Sequence, residues 1–200
     1  MVAEAETQKH NAYVTTSSHN IFLSEPRADL DAGHVLNRQI TSSKGCITTD
    51  QVPAQPGLKI IYDAPEFWEF IATIVCEPVL YEYADPMSSI NVCCGDEGQE
   101  MGWHFDNSEF AITLLLWAPQ SGGQFEYIRD LLNAETGKLN FTGVAAFLDG
   151  DAAVKRVMVA PGTLVLFRGR DAIRRVTPTV DARTRILVLL AYNASRHRPF

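Results

Sequence analysis

From Leu80 onward, apolar residues come in short runs separated by turn-forming residues. Each run is about as long as a β-strand and is rich in branched or aromatic side chains. The runs are SSINVCC, EFAITLLLWAP, GGQFEYI, VKRVMVAP, GTLVLFRG, AIRRVTPT and TRILVLLAYN. Between them, GDEG, APQSGG, DGD and APG supply the glycine or proline that turns require. About seven closely spaced strands predict a mainly β protein, an antiparallel sandwich or barrel of jelly-roll type.

One helix is predicted before these strands, from Ala64 to Val75. Pro65 falls in its first turn, where proline is favoured, and two glutamates lie near its positive end. Its apolar positions follow helical spacing, at Phe67, Ile71, Ile74 and Val75. The first fifty or so residues are polar and rich in turn formers, which predicts irregular structure with short strands packed over a larger unit.

Composition and charge narrow the classes of protein. The 200 residues are 46% hydrophobic and 20% charged, which suits one globular domain. A net charge of −7 argues against nucleic acid or an anionic membrane as the main partner and favours a small molecule. The N-terminus lacks a secretory pattern and no apolar run reaches membrane-spanning length, so we expect a cytoplasmic protein.

The stretch GWHFDN, residues 102 to 107, contains the most suggestive chemistry. Residues two apart on a strand share a face, so His104 and Asp106 are expected to project together. An imidazole and a carboxylate are two of the three ligands of a 2-His-1-carboxylate iron site. The pair is weak evidence alone, because such residues also meet by chance on edge strands.

The chain resembles the Fe(II)/2-oxoglutarate dioxygenases, and most closely their branch of small amino-acid hydroxylases and halogenase-like enzymes. The matching stretches are YADPMSSINV, GWHFDNSEFAITLLLWAP, GGQFEYI, PGTLVLFRGRDAIRRVTP and TRILVLLAYN. The resemblance implies a double-stranded β-helix, with Fe(II) and 2-oxoglutarate as cofactors and dioxygen as co-reactant. It also implies that His104 and Asp106 are metal ligands and catalytic residues.

The resemblance further divides the chain into three parts. Residues 1–40 would form an irregular N-terminal segment packing on the core, 41–193 the oxygenase-like jelly-roll domain, and 194–200 a C-terminal tail. An oligomer is possible.

The chain departs from the family where a second histidine is expected, in a stretch that usually reads HRVTP. Here Arg174 takes that place, and a protonated guanidinium has no lone pair to donate to iron. Three readings stay open. Iron binds through His104, Asp106, 2-oxoglutarate and waters, or another histidine substitutes, or the metal site is lost and Arg174 pairs with Asp106 or holds an anion. The chain's other histidines are His10, His19, His34 and His197, and none of them is expected to substitute, because none lies in a comparable strand context.

Further candidates follow from the same resemblance. Arg185, at the start of the last core strand, matches the residue that binds the distal carboxylate of 2-oxoglutarate, although it could instead cap a strand and make a surface ion pair. Asn91 and Ser89 are two residues apart in SSINVCC and are expected on the same face of the strand. They could contact cosubstrate or substrate, or bond only to backbone at a strand end.

Polar residues within apolar strands add the last candidates. Glu126 and Arg168 could form a structural ion pair, or grip the ammonium and carboxylate of an amino-acid substrate. Trp103 is expected beside the mouth of the site, in contact with substrate or filling space.

The favoured function is a non-haem Fe(II)/2-oxoglutarate oxygenase that oxidises a C–H bond of a free amino acid or similar small polar metabolite in specialised metabolism. Halogenases of this branch lack the carboxylate, so the retained Asp106 favours hydroxylation or desaturation. The alternative is a pseudoenzyme that binds 2-oxoglutarate or another small anion without turnover.

Overall fold

A computed structural model of the chain describes residues 1–52, 57–82, 85, 87–106, 110–129, 131–133, 138–150, 153–167, 169 and 172–194. The helices are α1 (Val2–Gln8), α2 (Gly57–Asp63), α3 (Pro65–Val75) and α4 (Phe141–Leu148), with 3-10 turns at Lys9–Asn11 and Thr49–Gln51. The strands are β1 (Tyr13–His19), β2 (Ile40–Ile47), β3 (Tyr81–Glu82), β4 (Ile90–Gly95), β5 (Met101–His104), β6 (Phe110–Trp117), β7 (Phe125–Arg129), β8 (Leu132–Asn133), β9 (Lys138–Leu139), β10 (Lys155–Val157), β11 (Leu164–Phe167), β12 (Ala172–Val176) and β13 (Arg185–Asn193).

Two antiparallel sheets form the body of the fold. The larger has the order β1-β2-β4-β13-β6-β11, with β3 also paired to β13, and the smaller has the order β10-β7-β12-β5. The chain crosses between the sheets repeatedly, since β5 and β7 lie in one and β4 and β6 in the other. The architecture is the predicted mainly β jelly roll, a double-stranded β-helix.

Side-chain alternation along β13 separates a core from a cavity. Ile186, Val188, Leu190 and Tyr192 face the helices and are almost fully buried, together with Ile71 of α3. Leu187, Leu189 and Ala191 point the other way and line the space between the sheets. Burying the first set holds the large sheet in register and leaves the second set free to shape a site.

The smaller sheet has its own apolar cover. Phe105, directly after β5, and Ile173 of β12 pack with Val144 and Phe147 of α4 and with Ile21 from the N-terminal region. This cluster anchors the outer face of β5 and β12, so their inner faces can carry polar residues.

The predicted helix agrees closely with α3, but its buried face is shifted. Ile71 and Ala72 are buried, whereas Ile74 is 49% exposed. The helix ends at Val75, and the next residue, Cys76, adopts a left-handed conformation with φ of 60°.

The N-terminal region is more regular than expected. β1 pairs with β2 along its whole length, from Tyr13 opposite Cys46 to His19 opposite Ile40. The boundaries at residues 40 and 193 stay predictions, and residues 195–200 of the expected tail lie outside the described residues. Within the described ranges, none of the helices has the length and apolar character needed to cross a bilayer.

We expect Ile71→Ala to lower the free energy of unfolding by about 2–5 kcal/mol, because it leaves a cavity in the core between α3 and the large sheet. The matched change Ile74→Ala, three residues along the same helix, should cost about 1 kcal/mol or less. Chemical denaturation of both variants measures the difference. Equal losses would contradict the placement of the buried face.

Candidate active site

A cavity lies between the two sheets. Its wider part has a volume of about 460 Å³ and a narrower part about 60 Å³. Both parts are lined by residues from the two sheets: Lys44, Cys93, Met101, His104, Thr113, Arg174 and Leu187. The two parts are therefore regions of one site.

His104 and Asp106 project into this cavity together. His104 is the last residue of β5, and its Nε2 atom lies 3.6 Å from Oδ1 of Asp106. Gly102 permits this arrangement, because a Cβ at that position would overlap the carbonyl oxygen of Thr41. Phe105, between them, points into the opposite core. The alternation expected from the sequence holds for this pair.

Hydrogen bonding sets the tautomer of His104. Its Nδ1 donates to the carbonyl oxygen of Gly102 over 2.7 Å, so the lone pair of the neutral ring is on Nε2. Burial lowers the pKa of His104, with a smaller contribution from the charge of Arg174. The ring is therefore neutral, and the lone pair of Nε2 faces the cavity, where it could bind a metal ion.

Arg174 is the immediate neighbour of both residues. It lies opposite His104 in the β5–β12 ladder, and its Nη2 donates to Oδ1 of Asp106. Its guanidinium stacks on the ring of Phe167 at 4.2 Å. Burial alone would raise the pKa of Asp106, but Arg174 and His104 lower it to about 2. Asp106 is thus a carboxylate whose negative charge is already paired.

These residues do not complete the three-donor iron site that the fold family implies. His104 and Asp106 are two suitable donors, but the third neighbour is a guanidinium, which repels a dication and competes for the carboxylate. In the part of the chain that the structure describes, no three His, Cys, Asp or Glu side chains are close enough to hold a metal. Oδ2 of Asp106 and Nε of Arg174 are nevertheless buried without a partner among these residues.

Another histidine is close, contrary to the expectation from sequence context. His19 ends β1 and lines the wider cavity, with its ring edge-on to that of His104 at 6.4 Å. Its Nδ1 donates to the carbonyl oxygen of Asn20, and its Nε2 lies 2.7 Å from the hydroxyl of Ser42. Both ring nitrogens are thus engaged. His10 bonds to a carbonyl in α1, and His197 lies outside the described residues.

Arg185 begins β13 and is buried, with 9% of its surface exposed. Its Nε donates to the carbonyl oxygen of Gly123 over 3.1 Å, and the residue lines the narrow part of the cavity. No Asp or Glu of the described ranges lies within ion-pair distance of it, so the alternative of a surface ion pair does not match its environment. Burial lowers the pKa of Arg185 to about 10, which leaves it a cation.

Asn91 and Ser89 differ in their placement. Asn91 lines the wider cavity, and its amide donates to the carbonyl oxygen of Ser88. Ser89 is buried, with its hydroxyl 3.2 Å from that of Thr49. Ser88, rather than Ser89, faces the cavity. Ser89 precedes the first residue of β4, so the strand alternation used to pair it with Asn91 does not extend to it.

Trp103 and Glu126 lie outside the cavity wall, which corrects their placement as substrate-binding residues. Trp103 follows Gly102 on β5 and points away from His104, with its ring edge-on to Phe147 at 4.8 Å. Glu126, on β7, is 1% exposed and bonds to Arg156 and Arg175. Consecutive strand residues face opposite sides, so both belong to the outer face of the small sheet. Arg168 lies outside the described residues.

Sequence reasoning missed Lys44 and Cys93 as lining residues. Lys44 lies on β2 in the stretch TSSKGC, and Cys93 lies opposite Cys46 in the β2–β4 ladder. The sequence indicates only that Ser42, Lys44 and Cys46 alternate along β2 and so share one face of that strand. This indication is weak, because neighbouring residues in this stretch are also small and polar.

Solved structures with similar folds include three proteins, each at low identity. AviO1 from Streptomyces viridochromogenes Tue57 is 12% identical, with a TM-score of 0.61 over 98% of this chain and 83% of its own. A 2OG-Fe(II) oxygenase family oxidoreductase from Burkholderia pseudomallei is 11% identical, with a TM-score of 0.60 over 97% of this chain and 79% of its own. SnoN, described as a non-haem alpha-ketoglutarate-dependent epimerase from nogalamycin biosynthesis, is 10% identical, with a TM-score of 0.56 over 96% of this chain and 70% of its own.

The fold is therefore similar to that of these 2OG-Fe(II) oxygenase structures. More narrowly, the family model described as HalD, Halogenase D, matches residues 41–198, so the chain belongs to that family. A search of curated proteins finds no significant match.

The environment of Glu126 gives a test of its structural role. Burial opposes its ionisation, but the hydrogen bonds and charges of Arg156 and Arg175 outweigh this and lower the pKa of Glu126. We expect Glu126→Gln to lower the free energy of unfolding at pH 7 by about 2 kcal/mol. A carboxyl whose pKa is lowered by folding contributes stability above its unfolded pKa and loses it as pH falls through the folded value.

The difference between wild type and Glu126→Gln should therefore shrink as the pH is lowered below about 4. Denaturation curves between pH 7 and pH 3 measure it, with the exposed Glu69→Gln on α3 as control. A difference that does not depend on pH would show that the ion pairs do not carry the effect.

Proposed function

We propose that this chain binds 2-oxoglutarate in the cavity, with the guanidinium of Arg185 donating to the distal carboxylate. The supporting observation is a buried cation that no carboxylate of the described residues neutralises. Burying an uncompensated charge is costly, and a bound carboxylate would offset that cost. The planar guanidinium also matches a carboxylate with two parallel hydrogen bonds.

Binding without turnover is the role that the contacts of Arg174 favour. Its ion pair with Asp106 occupies a carboxylate that a metal would need, and its charge opposes a dication at that place. Fe(II) is therefore expected to bind weakly while this ion pair is intact. The protein would then be a member of its family that holds a cosubstrate-like anion and lacks efficient oxidation.

Oxygenase activity is the second candidate, and two atoms favour it. Nε2 of His104 carries a lone pair, and Oδ2 of Asp106 has no partner among the described residues. These two residues would hold Fe(II), which would supply the oxidation of a free amino acid or similar small polar metabolite of specialised metabolism. Dioxygen would be the oxidant, and 2-oxoglutarate would provide two of its four electrons by decarboxylation to succinate. Retention of the carboxylate favours hydroxylation or desaturation over halogenation.

The remaining features of the proposal concern surroundings and partners. The net charge of −7 is the support for a small-molecule ligand rather than nucleic acid or an anionic membrane. Cytoplasmic location and the possibility of an oligomer stay predictions from the sequence.

We expect Arg185→Gln to weaken 2-oxoglutarate binding at least tenfold, because it removes a charge-assisted pair of hydrogen bonds. The affinity for 2-oxoglutarate is measured by calorimetric titration under anaerobic conditions. Fe(II) is present, so that both metal-dependent and metal-independent binding are detected. The control is Arg183→Gln, an exposed arginine on the same segment whose guanidinium contacts Trp117. Equal affinities of the two variants would refute the proposed anchor.

The two candidate roles are separated by changes at Arg174. Fe(II) and 2-oxoglutarate are titrated anaerobically into the protein, and the bound metal and the charge-transfer absorption of the chelate are measured. Wild type should bind little Fe(II). Arg174→His should bind iron and develop the band, since imidazole supplies a third donor. Arg174→Gln is the control that removes the charge without adding an imidazole.

Strong iron binding and the absorption band in the wild-type protein would instead support the oxygenase role. Release of succinate from 2-oxoglutarate by the same sample would establish turnover. If the folded Arg174→His variant does not bind iron, position 174 is not the position of the third metal ligand.

A further inference from the structure

The narrow part of the cavity is strongly cationic although the protein as a whole is acidic. Its wall includes three cationic side chains and one carboxylate, those of Lys44, Arg174, Arg185 and Glu100. Arg175 also borders this part of the cavity, but its guanidinium pairs with Glu126 and lies over Trp103 on the outer face of the small sheet. Charges of one sign gathered in a low-dielectric cleft raise the local concentration of oppositely charged ligands.

One of these three cations already has a partner, because Arg174 is paired with Asp106. Lys44 and Arg185 have no ion-pair partner among the residues that the structure describes. The cavity therefore offers two separate positive groups to a ligand.

Lys44 is positioned by the large sheet. It lies opposite Thr15 in the β1–β2 ladder, is half-buried, and lines both parts of the cavity. The thiol of Cys93 lies in the same field. Its pKa is lowered first by the neighbouring thiol of Cys46 and further by the charges of Lys44, Arg185 and Arg174. Lys44 and Arg185 thus act on one region of the wall.

We infer that Lys44 and Arg185 form a two-point site for a small dicarboxylate, such as 2-oxoglutarate, which binds without a metal ion. This inference rests on the proposed function and extends it to Lys44. Arg185 holds one carboxylate with its planar fork, and Lys44 meets the other, next to the keto group, as a point charge. The second anchor is thus supplied by the chain itself.

Glu100 provides an internal check on the electrostatics. It is half-buried on the same wall and has no ion-pair partner in the described ranges. Its negative charge opposes an anionic ligand. Removing the charge of Glu100 should therefore act in the opposite direction to removing the charge of Lys44.

The test is calorimetric titration of the protein in EDTA with three ligands. 2-Oxoglutarate has both carboxylates, 4-oxopentanoate lacks the one next to the keto group, and 2-oxopentanoate lacks the distal one. We expect 2-oxoglutarate to bind at least tenfold more tightly than either monocarboxylate, which corresponds to about 1.4 kcal/mol.

Variants assign the two ends of the ligand. Lys44→Met should weaken 2-oxoglutarate about tenfold and leave 4-oxopentanoate unchanged, because that ligand lacks the carboxylate that Lys44 meets. Glu100→Gln should tighten 2-oxoglutarate severalfold. The control is Lys59→Met on α2, whose ammonium pairs with Asp63 on the same helix and should not affect binding.

The outcomes separate this inference from the proposed function. Binding with Fe(II) but not in EDTA would overturn the inference and leave the proposed function standing. Absence of binding in both conditions would overturn both. Equal weakening of 2-oxoglutarate and 4-oxopentanoate by Lys44→Met would also overturn the inference, because Lys44 would then not recognise the second carboxylate.

Discussion

The ion pair between Arg174 and Asp106 is the interaction on which the chemistry of this site depends. It joins β12 to the end of β5 inside the cavity, next to a histidine that burial keeps neutral. Breaking such a pair leaves a buried charge without compensation, which typically costs several kcal/mol. Arg174 holds Oδ1 of Asp106, so a metal ion could use only Oδ2 unless it displaced the guanidinium. This contact therefore decides between binding and oxidation.

The fold around the ion pair was largely predictable because it follows from local patterns. Short apolar runs between turn residues gave β4, β6, β7 and β10 to β13, and the helix prediction missed α3 by one residue at its start. The buried face of α3 was less predictable. Ile74 has helical spacing, but whether it meets the sheet depends on how the helix is rotated, which its own sequence does not determine.

The site was predictable only as far as strand alternation and family resemblance reach. Alternation placed His104 with Asp106, and resemblance identified Arg174 and Arg185. Neither could reveal that Glu126 pairs with Arg156 and Arg175, because that contact joins strands 30 and 49 residues apart in the chain. His19 was missed for the same reason, since it reaches His104 through the pairing of β1 with β2.

Burial of Arg185 has a consequence for recognition beyond its charge. Arg185 is only 9% exposed, so folding has already removed most of the water from the guanidinium, and this burial lowers its pKa to about 10. A carboxylate that reaches it meets a fixed, desolvated donor and has less reorganisation to drive. The acidic surface repels anions only weakly beyond about one Debye length of 8 Å at physiological salt. Affinity for anions is therefore a local property of the cavity. It is set by the few cationic side chains of the cavity that form no ion pair with a carboxylate of the described residues.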